Sequence, residues 1–327
     1  MQQRAQANFK FQKLVTIASI ILLLAKLVAY YLTNSVAVLT DALESTVNVA
    51  AAAMGLYSLY YSAKPKDDNH PYGHGKIEFV TAGIEGGMIL FAGCAIIYEA
   101  IATFRQPHTL HKLDWGLAIV AACAAINWLL GMYAIRQGKA NSSLALVSSG
   151  KHLQSDAYTT MGIIVGIALI MITKIQAIDA IVAVVFALLI IATGYRIIRE
   201  AMSGIMDEAD KGLLSQIADA LQQARKPSWV DIHNLRAVKN GSTLHIDCHV
   251  TLPWYLNVLE AHEEVKHLEA AVQSVQGMTV EISAHTDACV SLQCSACSLT
   301  CAHRKHAFDK QIVWNIDTML QATKLHL

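Results

Sequence analysis

Val36-Ala37-Val38-Leu39-Thr40-Asp41-Ala42-Leu43-Glu44-Ser45-Thr46-Val47-Asn48-Val49-Ala50 is apolar enough to enter a bilayer, yet it carries ionisable groups in its middle. Asp41, Glu44, Ser45 and Asn48 recur at i, i+3, i+4 and i+7, which sets them on one face of a helix. Ionisable groups inside a membrane are costly and persist mainly where they act. The stretch therefore reads as a membrane helix with a working polar seam, and the rest of the chain can be read outward from it.

Six stretches of roughly 20 apolar residues, the length that spans a bilayer, fall near 14–32, 36–57, 79–101, 115–135, 144–172 and 178–195. Composition agrees: 54% of residues are apolar and 15% charged, where soluble domains sit nearer a quarter charged. A net charge of zero leaves no global basic field, so nucleic acid is not an expected partner. Residues 1–13 are polar and basic and the run after them is long enough to span, so no cleavable signal is expected. Gly83 with Gly87, and Gly162 with Gly166, are pairs of small residues that would let membrane helices approach closely. Basic residues of the short loops fall mostly on one side: Arg4, Lys10, Lys13, Lys64, Lys66, Lys76, Arg136, Lys139, Arg196 and Arg199, against Arg105, Lys112 and Lys174 on the other. The richer side is cytosolic by the positive-inside rule, and an even number of spans puts both termini there.

After Asp207 the pattern becomes that of a small soluble α+β unit. An amphipathic helix is expected at 211–224, alternating strands at 232–238 and 243–252 joined through Asn240-Gly241, a second helix at 260–273 and a third strand at 278–284. The order αββαβ predicts one open sheet with two helices on one face. A cysteine-rich tail follows, ending in an expected helix over 305–323.

Four groups of residues carry ligand chemistry. His152 and Asp156 stand one turn apart in the fifth span, so packing against the second would bring an imidazole, two carboxylates and a hydroxyl together. That is a coordination set suited to zinc. Asp67, His70 and His74 lie in a Pro- and Gly-punctuated loop after the second span and would hold one ion at the membrane mouth. In the soluble unit, His233, His249, His262, His285 and Asp287 gather near element ends. In the tail, Cys289, Cys294, Cys297 and Cys301, with His303, are spaced for a metal rather than a disulfide in a reducing compartment. Zinc fits that spacing first, and an iron–sulfur cluster stays open. His262-Glu263-Glu264-Val265-Lys266-His267 approaches the zinc-protease motif, but its histidines are five apart and share no helical face, so a protease reading fails.

Together these residues resemble the cation diffusion facilitator family of metal/proton antiporters. The likeness rests on Leu39-Thr40-Asp41-Ala42, on His70-Pro71-Tyr72-Gly73-His74-Gly75-Lys76-Ile77-Glu78 and on Lys151-His152-Leu153-Gln154-Ser155-Asp156. It continues through Asp231-Ile232-His233-Asn234-Leu235-Arg236, Cys248-His249, Glu260-Ala261-His262 and His285-Thr286-Asp287. The resemblance implies a six-helix transmembrane transport domain at 1–206, a cytosolic metal-binding ferredoxin-like domain at 207–288 and a Cys-rich extension at 289–327. It implies a homodimer in a lipid bilayer, taken to be a bacterial inner membrane, that exchanges cytosolic divalent transition metal for protons. It gives Asp41, His152 and Asp156 as transport ligands, with a further zinc or similar ion bound in the cytosolic domain. One departure stands out: relatives that carry zinc usually have a second acid where this chain has Ser45. The fourth ligand is then Ser45, Glu44 or water, and iron, cobalt and manganese stay open beside zinc. A membrane-anchored metal sensor is the alternative, but a mere anchor needs no ligands in mid-membrane.

Overall fold

The computed structural model describes residues 2–33, 36–105, 114–173, 177–241, 243–273, 275 and 279–324. The side chains of 36–44, including Asp41 and Glu44, fall outside that description, as do Lys112, Lys174 and residue 278. The chain forms two compact units, Met1–Met206 and Asp207–Leu327.

The first unit is an α-helical membrane domain of six helices: α1 (Gln2–Thr33), α2 (Val36–Ser62), α3 (Ile77–Arg105), α4 (Asp114–Ala140), α5 (Leu144–Thr173) and α6 (Ala177–Ile205). Each has 27 to 32 residues, about 40 Å or more at 1.5 Å per residue, so all overrun the apolar spans. Gln6–Val28 and Ile77–Tyr98 meet the length and hydropathy of a span among the described residues. The surface is inverted relative to a soluble protein. Phe91 is 75% exposed and Leu24, Val28 and Leu189 also face outward, while Ala82, Ala134, Ala145, Ala187 and Ala201 are buried. Apolar side chains outward and small ones inward is the arrangement lipid requires.

α3 packs on α6, α4 on α5 and α1 on α2, with α5 also touching α2, α3 and α6. Among the described glycines the tightest backbone contacts fall elsewhere, while Gly162 of the expected pairs meets the Phe186 side chain, 3.1 Å from where a Cβ would stand. A Cβ on Gly131 would stand 2.7 Å from Gly150 O, and one on Gly194 would stand 2.9 Å from Gly86 O. Gly87, by contrast, has open space around it, and Gly83 only ordinary contact with Ala201. Spacing of four marks a small stripe, but which stripe meets a neighbour is decided by helix rotation, which sequence does not encode locally.

The second unit runs α7 (Lys211–Gln223), β1 (Asp231–Asn240), β2 (Thr243–Leu252), α8 (Val258–Val272) and β3 (Thr279–Ala288). Asp210 caps α7 by accepting the Leu213 N–H at 3.0 Å, and an Asn257–Glu260 capping box starts α8. The sheet order is β1-β2-β3, with β1 antiparallel and β3 parallel to β2, so α8 is the crossover. Leu213, Ile217 and Leu221 of α7 share one core with Leu268 and Val272 of α8 and with Ile232, Ile246, Val250 and Val280 of the sheet. Both helices thus cover one face, which is the ferredoxin-like arrangement.

The expected tail helix over 305–323 is not formed. Only α9 (Ile316–Met319) is helical, started by the Asn315 cap. Before it the chain has no regular structure and is held by anchors elsewhere in the unit. Trp314 is buried in the core, its backbone N–H donates to Gln222 Oε1 at 2.8 Å, and the Arg225 guanidinium stacks on its ring at 3.8 Å. Tertiary anchors of this kind override a modest helix propensity.

Candidate metal centres

α5 begins where the Glu78 carboxylate accepts Ser143 Oγ–H at 2.6 Å and the Ala145 N–H at 3.4 Å. An anion at a helix N-terminus favours both the helix and its position. Two turns on, His152 is 6% exposed and its Nε2 lies 3.0 Å from Asn48 Oδ1 on α2. An amide oxygen only accepts, so this bond puts the ring proton on Nε2 and leaves the lone pair on Nδ1. Nδ1 has no hydrogen-bond partner among the described residues. Asp156, half-buried, follows one turn later, its backbone oxygen accepting from the Thr159 and Thr160 hydroxyls. The Asp41 side chain lies outside the described residues, so its place relative to His152 rests on the sequence.

Two buried charges complete this region. The Lys26 ammonium donates to Ser45 Oγ at 2.8 Å, and Glu85 accepts from Ser148 at 2.6 Å and Ser149 at 3.0 Å. Both side chains are buried within the helical unit. The Ser45 oxygen, expected as a ligand, is thus already engaged by a cation. Asn48, read in sequence only as part of the polar face, is the residue that fixes His152. The general signal was there, since a charge within a span has to find a partner, but its partner was not legible.

In the loop between α2 and α3, Asp67, His70 and His74 bring ligand atoms within 4.8 Å of one another. His70 Nδ1 is 3.1 Å from Asp67 Oδ1 and His74 Nε2 3.3 Å from Oδ2, while Gly73 makes the turn at φ +95°. Asp67 also accepts the Asn69 and His70 N–H groups, an Asx turn. Desolvation acts to raise its carboxyl, yet the amide and imidazole of His70 hold it below the ordinary range. The carboxylate form is the one that binds a cation.

The sheet explains the next group. Antiparallel pairing sets His233 opposite His249, and parallel pairing sets His249 opposite His285, so three histidines form a row across three strands. Asp287, two residues beyond His285 on the same face, comes within 3.2 Å of His249 Nδ1 and 3.5 Å of His233 Nε2. A bulge follows His233, with Asn234 at φ +52°. Burial pushes the His233 imidazole down despite Asp231 and Asp287, which favours the neutral ligand form. Burial would raise Asp287, but the bond from His249 and the Lys324 ammonium, 3.4 Å away, lower it. This donor set suits a divalent transition ion. His262 is exposed on α8 and stands outside the group among the described residues. Cys289, Cys294, Cys297 and Cys301 are half-buried free thiols lining one cavity.

Residues 13–206 match the family model described as the cation efflux transmembrane domain, and 209–289 match the cation efflux protein cytoplasmic domain. An uncharacterised transporter of Synechocystis is 33% identical over 76% of this chain and 80% of its own. The manganese efflux system protein MneS of Bacillus subtilis is 30% identical over 78% and 88%. The cation-efflux pump FieF of Serratia proteamaculans is 29% identical over 77% and 83%. Six membrane helices, buried polar groups on α2 and α5, the histidine row on an αββαβ sheet and matches across both units agree: the chain belongs to the cation diffusion facilitator family of cation efflux proteins.

Proposed function

We propose that the protein carries a divalent transition-metal ion out of the cytosol in exchange for protons. The observation that carries this reading is His152, buried in a membrane helix with a free Nδ1 lone pair one turn from Asp156. Asp41, His152 and Asp156 are the proposed ligands, with Ser45, Glu44 or water completing the shell. Carboxylate and imidazole must be unprotonated to hold the ion, so proton arrival and metal departure are linked at one place. Rocking of the helices around it would supply alternating access. Imidazole with carboxylates favours zinc, iron, cobalt and manganese over magnesium and calcium, and zinc is the substrate we assign first.

Asp67, His70 and His74 form the proposed entry site. His233, His249, His285 and Asp287 would hold a resident zinc or similar ion, which would supply positive charge joining three strands; His262 joins them only if a second copy brings it there. The working form is a homodimer, in keeping with the cytoplasmic-domain match, placed in a bacterial inner membrane with both termini cytosolic. In proteoliposomes, zinc uptake should rise severalfold when the lumen is made acid, and competition should rank zinc ahead of iron, cobalt and manganese. Uptake indifferent to the pH gradient would contradict proton exchange, and stronger competition by manganese would overturn the zinc assignment.

A further inference from the structure

Beyond β3 the chain carries groups that transport leaves unused. The Cys289 N–H donates to Leu252 O at 2.9 Å, extending the β2–β3 pairing by a residue. A 3-10 turn at Ser291–Ser295 then brings the chain back, and Cys294, Cys297 and Cys301 join Cys289 around one cavity of about 30 Å³ beside Tyr255 and Arg304. A cavity needs roughly 10–15 Å³ to take one water-sized body, so this one has room for a single ion.

The surrounding chain is arranged to present sulfur. Arg304 folds back into the loop and donates to the carbonyls of Cys294, Cys297 and Leu299. Those carbonyls are therefore engaged, and the thiols are what the loop offers. The His303 N–H donates to Cys301 Sγ at 3.4 Å, and the Trp254 amide reaches the Cys289 sulfur. Such N–H···S bonds are the outer support that ligand sulfurs receive at metal centres. The His303 ring sits 5.0 Å from Trp254 and 5.6 Å from Tyr255, fastening the loop to the turn after β2. Burial first, and then the neighbouring thiols, push the Cys289 thiol up. Inert packing is the plainer use of buried cysteines. It does not explain four of them half-exposed around a cavity with an arginine folded into their loop.

We propose that Cys289, Cys294, Cys297 and Cys301 bind a single zinc ion as four thiolates, a structural centre apart from the transport site that fastens the tail to the sheet. Each thiol gives its proton to solvent on binding, and the two net negative charges of the filled centre face Arg304 and Arg225. Cys289 is the last residue of the 209–289 region shared with the family, and the other three thiols lie beyond it. By fixing this loop it holds in place the chain that carries Trp314 into the core and Lys324 to Asp287.

Cobalt reports on it directly, because only thiolate ligands give the intense near-ultraviolet sulfur-to-cobalt band that histidine and carboxylate sites lack. Full-length protein in detergent, stripped of metal under reducing conditions, should develop that band at about one cobalt per chain and lose it to added zinc. Cys294→Ser and Cys297→Ser should each weaken the band several-fold and lower zinc content by about one per chain, whereas Cys94→Ser should keep both. Zinc should also slow alkylation of the four tail thiols in wild type at least tenfold, a reading that needs no variant to fold. No sulfur-to-cobalt band, a disulfide among the four, or iron with acid-labile sulfide in anaerobically purified protein would each overturn the assignment.

Discussion

At Ser45 the chain puts a hydroxyl rather than a carboxylate beside the proposed transport ligands, and the Lys26 ammonium donates to it. A resident cation there opposes a second one, since like charges in a low-dielectric site repel strongly. Lys26→Met should therefore lower the zinc concentration for half-maximal uptake by roughly tenfold, about 1.4 kcal/mol. An unchanged or higher value would show that Lys26 does not act on the site. Lys324 stands to Asp287 as Lys26 does to Ser45, but at a partly solvated place. Lys324→Ala should tighten zinc binding at the histidine row only severalfold, in keeping with roughly 0.2–1 kcal/mol for such pairs; titration calorimetry of the full chain checks it. Ligand-type residues were legible one by one, because His, Asp and Cys at helical or strand spacing mean the same wherever they occur. Their partners were not: that Glu85 takes Ser148 and Ser149 rather than an ion depends on how α3 meets α5.

Among the elements, the αββαβ order was readable because strand alternation, the Asn240-Gly241 turn and the capping residues all agree locally. That order alone sets the start of β1 and the end of β3 against the end of β2, which is why His233, His249 and His285 fall in a row. The bulge after His233 and the irregular tail before α9 were not readable, since both depend on contacts far away in sequence. Element packing can be tested at two glycines. A Cβ at Gly150 would stand 2.8 Å from Gly131 O, where backbone cannot yield, whereas Gly87 has nothing within 4 Å. Gly150→Ala should cost about 1–3 kcal/mol and lower the melting temperature in detergent, while Gly87→Ala should not; equal effects would contradict the α4–α5 contact. Asp210, which caps α7 and pairs with Lys239 at 2.6 Å, has its carboxyl lowered by that lysine. Asp210→Ala should cost about 1 kcal/mol, measured through Trp229 and Trp314 fluorescence. Its contribution is full above the unfolded carboxyl's value near 3.9 and disappears as pH falls through the lower folded value, so variant and wild type should converge in acid.

For the whole molecule, we propose that an ion crosses the membrane through His152 and Asp156 and is released as protons arrive. On the proposed reading the two units divide the work: buried polar groups of the helical unit would move the ion, and the histidine row and tail thiols of the second unit would bind metal. Zinc flux into proteoliposomes with an acid lumen tests this most directly, comparing wild type with His152→Ala and Asp156→Asn, each first shown to elute as the wild-type oligomer. Either substitution should reduce the proton-driven flux at least a hundredfold. Undiminished flux in correctly assembled His152→Ala and Asp156→Asn protein would contradict it.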